Sequence, residues 1–375
     1  MRGETCEKTP PDRSAPAEAE VKALVLAGGT GSRLRPFTHT GAKHLLPIAN
    51  RPVLFYALDS LAAAGIREVG VVVGSHGREI RELTGDGTEF GLRITYLQQS
   101  RPLGLAHAVR IARDFLGDDD FLLYLGDNYL PQGVTDFVRL AAADAAAARL
   151  LLTPVADPSA FGVAEVDAEG NVLRLEEKPD TPRSALALIG VYAFSPAVHE
   201  AVRAITPSAR GELEITHAVQ WMVDQGLRVR AETTTRPWRD TGSAEDMLEV
   251  NRHVLDGLEG RIEGKVDAHS TLIGRVRVAE GAVVRGSRVV GPVVIGAGAV
   301  VSNSNVGPYT SIGEDCRVED SAVEYSVLLR GAQVEGASRI EASLIGRGAV
   351  VGPAPRLPQA HRLVIGDHSK VYLTP

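Results

Sequence analysis

The sequence predicts an α/β domain built on a mixed, mainly parallel sheet, followed by a second domain wound as a β-helix of hexapeptide repeats. Three observations predict it. Short apolar runs alternate with stretches of helical spacing over residues 21–258, helical spacing ceases after Gly260, and aliphatic residues then recur every six positions. The first pattern is how parallel strands joined by crossover helices read. The last is how a coil of three short faces reads, each face sending one aliphatic side chain inward. A β-sandwich would alternate with a period of two and would not hold a register of six through Val294, Val300, Val306, Ile312 and Val318.

Taken in order, residues 21–27 form a buried strand. Pro52 opens a helix whose Leu54, Leu58, Leu61 and Ala62 share a face, and Gly65 closes it. Residues 69–73 are the next strand and 103–116 a helix; residues 121–125 form an apolar strand that stops at Gly126-Asp127-Asn128. A carboxylate at the carboxyl end of a strand is where α/β proteins place ligands. Residues 161–166 and 172–177 flank Ala168-Glu169-Gly170-Asn171, a hairpin signal that adds antiparallel strands to the sheet. Residues 244–258 form a last helix with Ser243 as its N-cap. The expected division is a mobile tail over residues 1–20, an α/β domain over 21–258 and a β-helix over 259–375.

At 375 residues, 44% apolar and 23% charged, the chain is long enough for two separate cores. Its formal net charge of −7 argues against nucleic-acid binding, so phosphate must be met by local cations. Cys6 and Cys316 stand too far apart to suggest a disulfide framework or a metal cluster, which fits a reducing cytoplasm. No run reaches the length of a membrane span, and the Pro, Glu and Ala-rich first twenty residues lack the apolar stretch of a signal peptide, so no membrane partner is expected. Exposed faces of β-helices and edges of α/β sheets commonly pair, so a homo-oligomer is.

The first strand runs into Gly28-Gly29-Thr30-Gly31-Ser32-Arg33-Leu34. Three glycines let backbone N–H groups close around an anion. A dinucleotide fingerprint would need glycine at Leu34, and a P-loop would need Gly-Lys-Ser/Thr; neither is present. Arg33 and Lys43 instead supply two cations that can converge on the loop and neutralise a triphosphate, leaving its α-phosphorus open to attack.

Leu26-Ala27-Gly28-Gly29-Thr30-Gly31-Ser32-Arg33-Leu34-Arg35-Pro36, with Lys43-His44-Leu45-Leu46-Pro47, resembles the opening of the sugar-1-phosphate nucleotidylyltransferase family. Within it the chain is similar to the long-form glucose-1-phosphate thymidylyltransferases, and that resemblance implies a Rossmann-like catalytic domain and a left-handed β-helix. It implies dTTP and glucose-1-phosphate as substrates and Mg²⁺ as cofactor. Residues 26–33, Lys43, Gln99, Gly104 and Asp127 would bind nucleotide, with Gln99 reading the pyrimidine edge and Gly104 lying against the ring. Asp127 and Asp240 match the metal-binding aspartates. Asn128, Gly162, Glu177, Lys178, Gly190 and Arg210 would bind the sugar phosphate, and Arg33, Lys43, Asp127 and Lys178 would carry the catalysis. Arg210 reads equally well as part of a helix entry, and His107, inside a helix, as a packed or exposed residue rather than a catalytic one. Two positions depart from the family pattern: His44 stands where Gln is usual, and Ile189 where short forms carry Thr. Other nucleoside triphosphates, other sugar or cyclitol phosphates, and a non-catalytic sensor are compatible with much of the same pattern. An acyltransferase β-helix would need a catalytic His in a coil, and His361 and His368 lie beyond the clear repeat.

Overall fold

The computed structural model describes residues 21–29, 31–39 and 41–353. The tail expected over residues 1–20, Thr30, His361 and His368 therefore lie outside the described residues. The chain divides into two compact units, the first taking residues up to Leu46 and Pro52–Ser243, the second Pro47–Arg51 and residues from Ala244 onward.

Among the described residues the first unit is built on a nine-stranded mixed sheet. In chain order its strands are β1 (Lys22–Ala27), β2 (Glu68–Val73), β3 (Arg93–Gln98), β4 (Phe121–Leu125), β5 (Ala148–Pro154), β6 (Gly162–Val166), β7 (Val172–Glu177), β8 (Leu186–Phe194) and β9 (Val229–Thr233). β1 lies centrally, parallel to β2 on one side and β4 on the other, with β3 parallel outside β2. β8 runs antiparallel beside β4, and β6 and β7 form the expected hairpin beyond it. The apolar run of β1 is buried because both sheet faces are covered. Its side chains alternate: Leu24 and Leu26 enter one core with Leu123 and Val109, while Ala23 and Val25 enter the other with Leu58 and Tyr124.

Helix α1 (Val53–Ala63) begins just after Pro52 and gives way to left-handed Gly65, as the sequence predicts. The helix expected over residues 103–116 starts later and is interrupted, as α2 (Leu105–Ile111) and a further turn at Arg113–Leu116. Gly104 accounts for the late start: it has φ +99°, and a Cβ there would run into the Leu213 backbone. β8 carries a bulge, its pairing with β5 slipping between Leu188 and Tyr192, with Gly190 at φ +76° inside it.

In the second unit three parallel sheets, of six, six and five strands among the described residues, form the three faces of a β-helix of the left-handed type. Val276 pairs with Val293 and Val293 with Thr310, so these coils take seventeen residues, while Ile312 pairs with Leu328 and that coil takes sixteen. Ile295, Val301, Val306, Ile312, Val318 and Val323 fill the interior at successive steps of six, five, six, six and five. A register of six cannot run through such a coil. Val306, Ile312 and Val318 point inward as expected, but at the two preceding steps the inward residues are Ile295 and Val301, not Val294 and Val300. At one corner Ser270, Ser287, Ser304 and Ser321 stack, each Oγ accepting the backbone N–H of its successor in the next coil at 3.0–3.1 Å, with Ala337 donating last. Helix α3 (Ala244–Asp256), read from sequence as part of the α/β domain, groups with this unit. Its Asn251 is fully buried and tied to Ser311 and Tyr309.

Candidate active site

β1, β2 and β4 end in step, Leu26 lying between Val72 and Leu125, so the loops that follow them meet at one edge of the sheet. The glycine-rich loop turns back on itself through Gly31, at φ +62°, whose carbonyl accepts from Thr38 Oγ1 at 2.7 Å. A Cβ on Gly31 would stand 2.8 Å from Thr38 Cγ2 and 3.1 Å from Lys43 Cβ, so only glycine lets residue 43 fold over the loop. Lys43 then lies against Gly29 and donates to the Asp127 carboxylate.

Asp127 and Asp240 are brought together by a two-stranded ribbon in which Asn128 pairs with Asp240 and Tyr129 with Arg239. Thr241 fastens the arrangement, its N–H and Oγ1 both donating to the Asp127 carbonyl at 3.1 and 3.0 Å. Asp240 Oδ2 lies 3.5 Å from Arg33 Nη2, whose side chain is 68% exposed. Asp127 is buried, which pushes its carboxyl up, but the charge and hydrogen bond of Lys43 together with weaker neighbouring contributions outweigh this and hold it below the usual carboxylate range. His44 is driven to about 3 by burial and by Lys43, so it is neutral, and its Nδ1 has no hydrogen-bond partner among the described residues.

These groups line one cavity of about 390 Å³. Leu26, Gly28, Gly29, Arg33, Lys43, Gln99, Gly104, Asp127, Asn128, Gly162, Glu177, Lys178, Gly190 and Asp240 all face it. Ala27, Gly31, Ser32 and Arg210 do not line it. Glu177 ends β7, its Oε2 accepting from Thr216 Oγ1 at 3.1 Å and its Oε1 from Arg210 Nη2 at 2.9 Å. Arg210 also grips Glu214 at 2.8 Å, so in this structure its charge is committed to carboxylates and it acts by holding Glu177. Lys178, at φ +44°, leaves Nζ 4.0 Å from Glu177 Oε1 and about half exposed. Asn128 donates its side-chain amide to the Ile189 carbonyl and so pins the bulge of β8.

Thr216, Thr241, Phe161 and Trp238 escape the sequence reading. Phe161 and Trp238 meet edge to face at 5.6 Å on the cavity wall. Only their tertiary partners reveal these roles; the Thr-Gly after Asp240 is the one local hint.

Among the described residues no three His, Cys, Asp or Glu side chains form a metal cluster. Asp127 and Asp240 nonetheless fit Mg²⁺, which takes one or two carboxylates and completes its shell with phosphate oxygens and water. A glycine loop, two cation–carboxylate pairs and a polar wall at the strand ends are an arrangement able to hold phosphate esters of the kind nucleotidyltransferases take.

Residues 22–257 match the nucleotidyl transferase family model, and residues 289–372 match the model of the GMPPB C-terminal domain. The chain belongs to the nucleotidyl transferase family. It is 60% identical to a glucose-1-phosphate thymidylyltransferase of Streptomyces griseus over 94% of this chain and 100% of that protein. It is 57% identical to one of Streptomyces antibioticus over 94% and 99%. A solved structure from Bacillus anthracis, assigned as a glucose-1-phosphate thymidylyltransferase in complex with a sucrose, superposes with a TM-score of 0.58 at 34% identity, covering 62% of this chain and 94% of that one. A UDP-glucose pyrophosphorylase complexed with UDP-glucose shares the fold at 24% identity and a TM-score of 0.58.

Proposed function

We propose that the chain transfers the thymidylyl group of dTTP to glucose-1-phosphate with release of pyrophosphate. The observation that carries this reading is the meeting, in one strand-end cavity, of the Lys43–Asp127 and Arg33–Asp240 pairs with Gln99 and with the Glu177–Lys178 corner. High identity to thymidylyltransferases over nearly the whole chain supports these substrates.

In this reading an oxygen of the sugar phosphate attacks the α-phosphorus in line. The new O–P bond forms as the bond to the bridging oxygen breaks, and that electron pair leaves with pyrophosphate; no proton need move. Lys178 steers the attacking phosphate, and Glu177, held on both oxygens, accepts from sugar hydroxyls. Lys43 and Arg33 neutralise the departing pyrophosphate. Asp127 and Asp240 would hold Mg²⁺, which when bound supplies positive charge to the phosphate oxygens. Residues 21–258 would carry this chemistry, and the β-helix over 259–375 would serve assembly of a cytoplasmic homo-oligomer. No helix among the described residues is long and apolar enough to cross a membrane.

The test is a pyrophosphate-release assay crossing dTTP, UTP, GTP, ATP and CTP with several sugar-1-phosphates. The expected result is fastest release with dTTP and glucose-1-phosphate. Preference for another pair would replace the substrates, and no release with any pair would end the enzymatic reading.

A further inference from the structure

The wall of the cavity beneath Gly28 holds a contact that the transfer chemistry does not use. Gln99 is buried, and its Nε2 lies 3.2 Å from the Gly104 carbonyl and 3.0 Å from His107 Nδ1. A carbonyl can only accept, so the NH₂ end of the amide must be the end facing Gly104. Its second N–H is then directed at His107. Nδ1 must therefore be the unprotonated nitrogen, with the ring proton on Nε2. Gln99 Oε1 is turned the other way, toward the nucleotide loop, where a Cβ on Gly28 would stand 3.2 Å from it. Burial, and after it the Arg110 guanidinium one helical turn on, hold the imidazole below its usual value, which keeps it in the accepting form.

We infer that His107 is a positioning residue for base selection: by accepting from Gln99 Nε2 it fixes the amide so that Oε1, an acceptor, is what the nucleobase meets. The inference deepens the thymidylyl-transfer reading and rests on its placement of the base beside Gln99. A keto pyrimidine has a protonated N3 that can donate to Oε1. Cytosine presents an unprotonated N3, and the two acceptors would face each other without a proton between them. The pair does not sense the methyl group of thymine, so dTTP and dUTP should respond alike to any change in it.

The experiment compares the wild-type chain with His107→Leu and His107→Gln, using glucose-1-phosphate with dTTP, dUTP and dCTP. Steady-state kinetics are read beside direct calorimetric binding of the three nucleotides. Losing one hydrogen bond of this kind weakens binding roughly tenfold. His107→Leu should raise KM and Kd for dTTP and dUTP about tenfold, keep kcat within about twofold and shrink the preference over dCTP about tenfold. His107→Gln offers a carbonyl oxygen and should restore the preference. An unchanged preference in the Leu variant overturns the inference, as does an equal loss of kcat in both variants, the mark of a merely structural histidine. Should the Leu variant fail to fold, His107→Ala takes its place and is judged by the same ratios. A wild-type chain that binds the keto nucleotides but releases no pyrophosphate defeats the transfer reading, while the binding ratios still decide the role of His107.

Discussion

At the scale of single residues, the proposed site pairs Lys43 with Asp127 and Arg33 with Asp240, cations that would neutralise an arriving phosphate. Asp127 is the clearest case: it is buried, near-isosteric with Asn, and its backbone is held by Thr241. Asp127→Asn should leave the fold in place and lower kcat/KM by about 10²–10³, since that is the range for removing one pre-organised group. Pyrophosphate release near the wild-type rate from this variant would take Asp127 out of the chemistry. Lys178→Ala should raise the KM for the sugar phosphate by at least about tenfold and leave that for dTTP nearly unchanged; equal effects on both would reassign Lys178. His44 makes a prediction about stability. Its folded value of about 3 lies below the ordinary 6.5, so between those values the unfolded chain binds a proton that the folded chain refuses. The contribution is intact above about pH 6.5 and declines as pH falls toward 3, by up to about 1.4 kcal/mol per unit. Urea melts at pH 7 and pH 5 should show an acid loss about 1–2 kcal/mol smaller in His44→Gln than in wild type. Parallel losses would mean that His44 is not held neutral by its surroundings.

At the scale of elements, Asn251 shows how much one polar side chain in a helix can organise. Fully buried, it accepts from the Ala49 N–H at 2.9 Å and from Ser311 Oγ at 2.7 Å, and donates to the Tyr309 carbonyl at 3.2 Å. Asn251→Ala orphans all three partners and should cost about 2–4 kcal/mol, measured by denaturant unfolding, because buried polar groups without partners lose their full solvation. A loss under about 0.5 kcal/mol would mean that water replaces the amide. Nothing in local sequence announces this role, since Asn251 sits in a helix that its spacing alone assigns to the α/β domain. The same contrast runs through the fold. Strand β1, the helix opened by Pro52 and the hairpin around Gly170 are legible because apolar runs and turn residues report local geometry. The start of α2 is not, because it is set by the Leu213 backbone more than a hundred positions away. The β-helix is legible as a repeat, yet its inward residues at 295 and 301 are missed, because a coil of seventeen slips a register of six once per turn. In the site, the loop glycines, Lys43 and Asp127 stand in recognisable order, whereas Thr216 and the bond from Arg210 to Glu177 exist only once the chain is folded.

At the scale of the whole molecule, the second unit is discontinuous in sequence, because Pro47–Arg51 belongs to it. Ala49 and Asn50 form a left-handed turn, at φ 48° and 64°, and Asn50 Nδ2 donates to the Ile312 carbonyl at 2.7 Å while Asn251 takes the Ala49 N–H. This turn follows Lys43 in the chain by only a few residues, so the Asn251 side chain of α3 and the Ile312 carbonyl anchor the segment that continues from Lys43. The double variant Asn50→Gly with Asn251→Ala keeps a turn compatible with left-handed backbone but releases both anchors. Hydrogen exchange should then quicken across residues 43–52 while the coil strands around Val301 and Val318 stay protected. Turnover should fall about tenfold or more, since a displacement of the order of an ångström at a reacting group can cost that much. Unaltered exchange over residues 43–52, or full turnover despite quickened exchange, would show that Lys43 holds its place on Asp127 without help from Asn50 and Asn251.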